Sequence, residues 1–340
     1  MRKVVAAGYS GAGAAMFLVG TLAAVSGVVN TYPLFGGQAI RYVLSAVVLL
    51  GVARIYGLGF LRPSATEVVL FSALAATGLV LFNVFVIHAT RHAGPATVGT
   101  VIGAVPIVLA IAGPALNRRR LSRRVLFAAM IVVAGTALTS GLGTADAAGV
   151  LLSIGALVCE ACFTLLALPL LIRYGPIRVS AYTAALAAPM LLALGAVTDR
   201  GGLLRTPSAA EAGGFVYLAV VVGAGAFLLW YGALPRLGAD RAGLFAGMVP
   251  IGAIVTGTAL GLGAPSGGEL LGVLVVVAGL LIGLAPSLTP RQAQTHDTGH
   301  DQGDAGEAGE RDGFVEQEHA ERDDTDRAQA GPYRVCRADG

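Results

Sequence analysis

GPATVGTVIGAVPIVLAIAGPAL fills residues 94–116, and GADRAGLFAGMVPIGAIVTGTAL fills residues 238–260. Displaced by 144 positions, the two align without a gap. Gly94, Gly99, Gly103, Val105-Pro106-Ile107 and Gly113 meet Gly238, Gly243, Gly247, Val249-Pro250-Ile251 and Gly257. The match runs on through Ala115-Leu116, Ser122, Leu126 and Val132-Val133-Ala134-Gly135, which meet Ala259-Leu260, Ser266, Leu270 and Val276-Val277-Ala278-Gly279. That makes 15 identities in 42 positions. Apolar stretches share residues by composition alone, but glycines and prolines at fixed spacing are not easily produced that way. The chain therefore reads as an internal repeat.

Outward from this block the chain is a series of apolar runs. Of its 340 residues 55% are hydrophobic and 13% charged, and mean hydropathy is +0.75. Water-soluble domains carry roughly 25% charged residues, so this body needs a different solvent. Spanning ~30 Å of hydrocarbon takes about 20 residues of helix. Runs of that order lie at about 11–29, 39–56, 68–90, 94–114, 125–143, 149–172, 177–197, 213–234, 240–262 and 268–286. Lipid offers backbone groups no hydrogen-bond partner, so each run is expected to be a helix. Gly, Pro or charge marks the connections, as at Arg62-Pro63-Ser64, Gly175-Pro176 and Ala264-Pro265-Ser266.

Five spans per repeat is an odd number, so the second repeat must enter the membrane inverted. Loop charge agrees with this. Residues 118–124 carry five arginines and the aligned residues 262–268 carry none, as retention of positive charge on the cytoplasmic side requires. With the N-terminus inside, fourteen Lys/Arg fall on the cytoplasmic side and four (Arg41, Arg91, Arg200, Arg205) on the outer side. The expected location is the inner (plasma) membrane, multi-pass, with both termini cytoplasmic. The start of the chain has the basic and apolar character of a signal peptide, but the repeat needs it as an uncleaved first span.

Residues 1–286 hold 17 Lys/Arg against 7 Asp/Glu, whereas 287–340 hold 6 against 13. The basic excess belongs to loops and implies no nucleic-acid partner. The tail has too few large apolar residues to offset its ordering entropy and is expected to be disordered. The fold class is thus an all-α polytopic membrane protein: a cytoplasmic N-terminus at 1–10, a first repeat at 11–143, a second at 149–286 and a disordered acidic cytoplasmic tail at 287–340.

Two five-helix repeats, Arg41-Tyr42 at the opening of the second span, Pro106 and Pro250 inside spans four and nine, and Gly-rich fifth and tenth spans resemble the EamA-like branch of the drug/metabolite transporter superfamily. The resemblance covers about residues 8–286. It departs where that branch often has Glu after span four or nine; here stand Arg118-Arg119-Arg120 and Gly263-Ala264, so no role of those carboxylates carries over. What the resemblance implies is export of metabolites or drug-like compounds.

Glu160 is the one acidic residue deep within a span. A charge at the bilayer centre costs about 2.5–3.5 kcal/mol on insertion scales, so such groups face a cavity or a partner. Ser153 and Thr164 share its helical face, opposite leucine-rich faces expected to meet lipid or other helices. Glu160 reads either as a proton-coupling or substrate-amine site or as a neutral carboxyl bonded to a neighbouring helix. Pro106 and Pro250 remove helical hydrogen bonds in mid-span, either as hinges or as static bends, and would free the carbonyls of Ile102 and Ala246. Gly99 with Gly103, and Gly243 with Gly247, are matched GxxxG pairs read as helix-packing sites. Asn83 and Thr90 on span three, with Trp230 and Tyr231 on span eight, are substrate-contact candidates, against interhelical bonding and an interfacial belt. Arg41, at the outer mouth of span two, is expected to snorkel to headgroups, against attraction of anions, and His88 and His92 to be solvated at the interface, against proton relay. Cys159 and Cys162 read as small apolar residues rather than a metal or redox pair, and no metal or cofactor is expected.

No phosphate-binding Walker loop and no Gly-x-Ser-x-Gly elbow occur, so neither ATP-driven transport nor that class of hydrolase is indicated. One lone Glu also argues against an intramembrane enzyme. The expected function is a secondary-active transporter exporting a small organic solute by alternating access, proton-coupled through Glu160. The alternatives are a passive facilitator or channel, and a non-transporting scaffold. Its partners would be the bilayer, a small-molecule substrate and protons, with the chain acting as a monomer or a homodimer.

Overall fold

A computed structural model describes residues 2–141, 143–198, 202–261 and 263–285; the tail expected at 287–340 lies outside the described residues. Among the described residues the secondary structure is helical apart from one isolated bridge, Ala93 to Ala145. Nine segments are long and apolar enough to cross a membrane. In chain order we call them α1 (Arg2–Val29), α2 (Leu34–Ile55), α3 (Ala65–His92), α4 (Pro95–Leu116), α5 (Arg123–Ser140), α6 (Ala147–Thr198), α7 (Ala209–Leu237), α8 (Ala239–Ala259) and α9 (Gly267–Leu284). The first helix begins well before residue 11, where the first span was expected.

At 52 residues, α6 would be about 78 Å long if straight, far more than a bilayer's thickness. Gly175 interrupts it, with φ 67 and ψ 172. That backbone geometry suits a residue without Cβ, and Pro176 follows directly. Four helix starts are fixed by serine. Ser64, Ser208 and Ser266 form capping boxes with Glu67, Glu211 and Glu269, and Ser122 accepts from the amide of Val125. Each satisfies amides that the first helical turn leaves without partners.

Four further spanning segments are not regular helices. In α4 the helix stops at Ile102 and restarts at Val105, and in α8 a 3-10 turn at Leu244–Gly247 precedes the helix from Met248. The prolines thus act differently from a mid-helix kink. Pro106 sits in the first turn of a new helix, where the missing N–H is no loss, and the break falls just before it. In α3 and α7 a π-helical stretch, Ala76–Leu81 and Leu218–Ala226, widens the middle of the helix. Such bulges recur at functional sites.

Small residues set the packing. The α5–α9 crossing is antiparallel, since Gly135 lies against Gly272 and Val276, Gly279 against Val132 and Ala128, and Gly283 against Ala128. Arg124 Nε at the start of α5 donates to the carbonyl of Ile282 at the end of α9, 2.7 Å away. Elsewhere Gly20 on α1 meets the backbone of Gly252 on α8. Large apolar side chains such as Leu151, Val158, Leu274 and Leu281 point outward and are exposed. In water such a surface would be a large apolar patch; in lipid it is the favourable one. The chain is a multi-pass membrane protein.

Candidate functional site

A cavity of about 520 Å³ lies within the bundle. From α1, α2 and α3 it takes Met16, Tyr42, Phe82 and Asn83; from α6 and α7, Glu160, Phe163, Phe227 and Trp230; from α8, Ala246, Val249 and Pro250. The break in α4 exposes Ile102 and Gly103 to it, and α5 adds Thr136, Thr139 and Ser140. Its rim is formed by Gln38 and Arg41 at the start of α2, Ser140 at the end of α5 and Glu269 at the start of α9. The opposite end of the bundle is filled. There Phe71, Tyr174 and Tyr182 meet edge to face with centroids 5.1–5.9 Å apart, and Leu244 packs on Gly283. Arg173 and the Tyr174 hydroxyl both donate to Glu67 there, at 2.6–2.9 Å.

Several expected site residues come together. Glu160 stands half-buried in the cavity wall, and among the described residues no hydrogen bond reaches its carboxyl. This runs against the reading that it bonds a neighbouring helix. Asn83 lines the cavity but spends its amide on the carbonyl of Leu79, 2.7 Å away. Trp230, Pro250, Gly99 and Gly103 also line it, as do Ile102 and Ala246, the residues whose carbonyls the prolines were expected to free.

Others lie elsewhere. Ser153 is buried and donates to the carbonyl of Gly149 at 2.7 Å, and Thr164 is buried away from the cavity. Tyr231 is fully buried between Phe163 and Phe227, and among the described residues its hydroxyl has no partner. Thr90 is exposed and bonds Ile87. Pro106 is buried in its helix start. Gly243 packs on Leu109, and Gly247 on Val132 and Val276, whereas Gly103 touches Thr136 and opens on the cavity.

Two expectations at the ends of spans need correction. Arg41 does not snorkel: it is 6% exposed and faces inward. Gln38, Arg41, Tyr42 and Ser45 follow helical spacing along one face of α2, a polar stripe that distinguishes the inner side. His92 is not simply solvated. Its Nδ1 lies 3.0 Å from Asp146, the Asp146 amide donates to the His92 carbonyl, and Gly94 donates to Thr144. This strap ties the α3–α4 turn to the start of α6. The Asp146 carboxyl, outside the spans, is held below its ordinary range by the Gly149 amide and by His92.

Comparison with known proteins bears on what such a cavity is for. Residues 147–284 match the EamA-like transporter family. The matched segment runs from α6 to α9 and supplies Glu160, Phe163, Phe227, Trp230 and Pro250 to the cavity, while Arg41, Asn83 and Gly103 come from the preceding helices. Over 255 residues the chain is 24% identical to an uncharacterized transporter, YetK of Bacillus subtilis (strain 168), covering 73% of this chain and 77% of the relative. It also superposes on a solved crystal structure with a TM-score of 0.72 at 20% identity, across 83% of this chain and 97% of the other. At that identity the likeness is one of fold.

Proposed function

We propose that this EamA-like membrane transporter is secondary-active. It exports a small organic metabolite or drug-like compound by alternating access between two inverted five-helix repeats, with Glu160 as its proton-coupling carboxyl. The observation that carries the reading is the cavity, which joins side chains from both halves of the chain, reaches Glu160 in mid-helix and has its rim at one end of a bundle filled at the other. Inverted repeats with a site near the midplane are a recurring transporter architecture.

The same offset of 144 supports the repeat beyond the aligned block. Shifted so, α5 falls on the bounds of α9, Ser64 and Glu67 fall on Ser208 and Glu211, and the π stretch of α3 falls within that of α7. The antiparallel α5–α9 crossing is what opposite insertion of equivalent helices requires. Counting the arms of α6 on either side of Gly175 as two spans gives ten. The arginines of 118–124 lie at the filled end, so that end is cytoplasmic and the rim faces outward.

The test is flux in proteoliposomes under an imposed pH gradient, comparing wild type with Glu160→Gln. Gradient-driven flux should be lost in the variant; equal flux in both removes the coupling role and leaves transport. Wild-type flux indifferent to ion gradients would make the protein a passive facilitator, and no flux a scaffold. Cysteine labelling tests the topology separately, since Arg120→Cys and Ala264→Cys should react from opposite sides.

A further inference from the structure

Arg41 is a buried cation without a counterion among the described residues. Its Nη1 donates to Gln38 Oε1 at 3.3 Å, its guanidinium lies 5.1 Å from the Tyr42 ring centroid, and its Nε is buried with no partner. The ion pairs among the described residues are His92–Asp146, Arg173–Glu67 and Arg205–Glu211, none of which involves it. It lines both the main cavity and an adjoining one of about 250 Å³. A guanidinium so placed gives up hydration without regaining it from the protein.

Two carboxylates share the main cavity, and protonation separates their case from that of Arg41. Glu269 has an oxygen committed to its own helix start, accepting from the Ser266 amide at 2.6 Å. Glu160 can become neutral by taking up a proton. Arginine cannot lose its charge, so the positive charge is what a ligand must answer. The remaining wall is largely apolar, built of aliphatic and small residues with four aromatic side chains among them, Phe82, Phe163, Phe227 and Trp230.

We propose that Arg41 is the anion-binding group of this cavity, and that the transported compound is an amphipathic organic acid. Its carboxylate pairs with Arg41 near the rim, where the planar fork of donors matches two carboxylate oxygens, and its apolar body lies against Phe163, Phe227 and Trp230. This names the substrate class of the site described above and rests on the transporter reading.

Trp230 is the single tryptophan of the chain, so its emission reports occupancy of the cavity wall independently of flux. The full chain in lipid nanodiscs is titrated with 3-phenylpropionate and with its uncharged isostere, 3-phenylpropanamide. A charge-assisted pair predicts tenfold to a hundredfold tighter binding of the acid, roughly. Arg41→Gln should abolish that preference, and Arg41→Lys should retain part of it. Equal affinity of the two probes for wild type, no saturable binding of the acid, or an acid preference that survives Arg41→Gln overturns the proposal. The wild-type comparison decides even if a variant fails to fold. Arg41-dependent binding of the acid without flux would overturn the transporter reading and leave the site standing. Flux of amides or amines with no preference for acids would do the reverse.

Discussion

Replacing Gly135 by alanine tests the seam between α5 and α9. A Cβ there would lie 2.7 Å from the amide nitrogen of Val276 and 2.8 Å from the carbonyl oxygen of Gly272, against about 3.4 Å for ordinary contact. The obstructing atoms are backbone, so the helices must part by about 0.6 Å. Overpacking of this kind costs about 1–3 kcal/mol, and alanine returns up to about 1 kcal/mol of helix propensity. The net expectation is a loss of about 1–2 kcal/mol, a factor of roughly 5–30 in the folded-to-unfolded ratio. Gly279→Ala meets Val132 Cγ2 at 2.8 Å and the backbone only at 3.0 Å (Val132 N) and 3.1 Å (Ala128 O), a smaller backbone intrusion, and should cost less than Gly135→Ala. Gly257→Ala on α8 meets nothing within 4 Å and should stabilise. Thermal unfolding of the three purified variants in one detergent should rank Tm in the order Gly257, Gly279, Gly135, from highest to lowest. A Gly135→Ala protein that melts at or above wild type refutes the crossing.

Tyr231→Phe removes a buried hydroxyl that has no partner among the described residues. An unsatisfied group of that kind costs about 1–3 kcal/mol, so Tm should rise; a fall would mean that the hydroxyl has a partner. The strap at His92 and Asp146 should respond to acid. The folded carboxyl of Asp146 titrates below its unfolded value, so its contribution is complete above the unfolded pKa and is lost as pH falls through the folded one. Amide exchange at Gly149, whose N–H donates to Asp146 Oδ1 at 2.8 Å, should therefore lose protection only at strongly acid pH, and in Asp146→Asn that acid transition should be absent. Wild-type protection that is flat through that range would count against the strap.

Much of the bundle is legible in the sequence because lipid simplifies the problem. Apolar length locates spans, and Pro106 and Pro250 mark the irregular ones, though the breaks fall just before them, at Gly103 and Gly247, which the sequence reads as packing positions. The position of Glu160 follows from the cost of a charge in hydrocarbon. What escapes is direction. Snorkelling and inward burial of Arg41 use the same residue at the same depth, and only the helix face separates them. Ser153 and Thr164 share a face with Glu160, yet a helix face is wider than a cavity mouth. The meeting of Gly20 with Gly252 leaves no motif, because it depends on which helices cross. The π stretches of α3 and α7 have no marker comparable to proline. The Ser-x-x-Glu signatures at 64, 208 and 266 are readable as helix starts, and the first two keep the offset of the repeat.

The seam of α5 and α9 is an isologous interface enclosed within one polypeptide. Exchanging the two halves sends the contact of Gly135 with Val276 onto that of Gly279 with Val132. Under the proposed alternating access, interactions that map onto themselves in this way are degenerate with respect to which mouth is open, and a preference for one state has to arise where the exchange fails. Under the same displacement Glu160 corresponds to Met16 and Arg41 to Ala185, so these ionisable side chains inside the cavity are among the places where the two halves stop being equivalent.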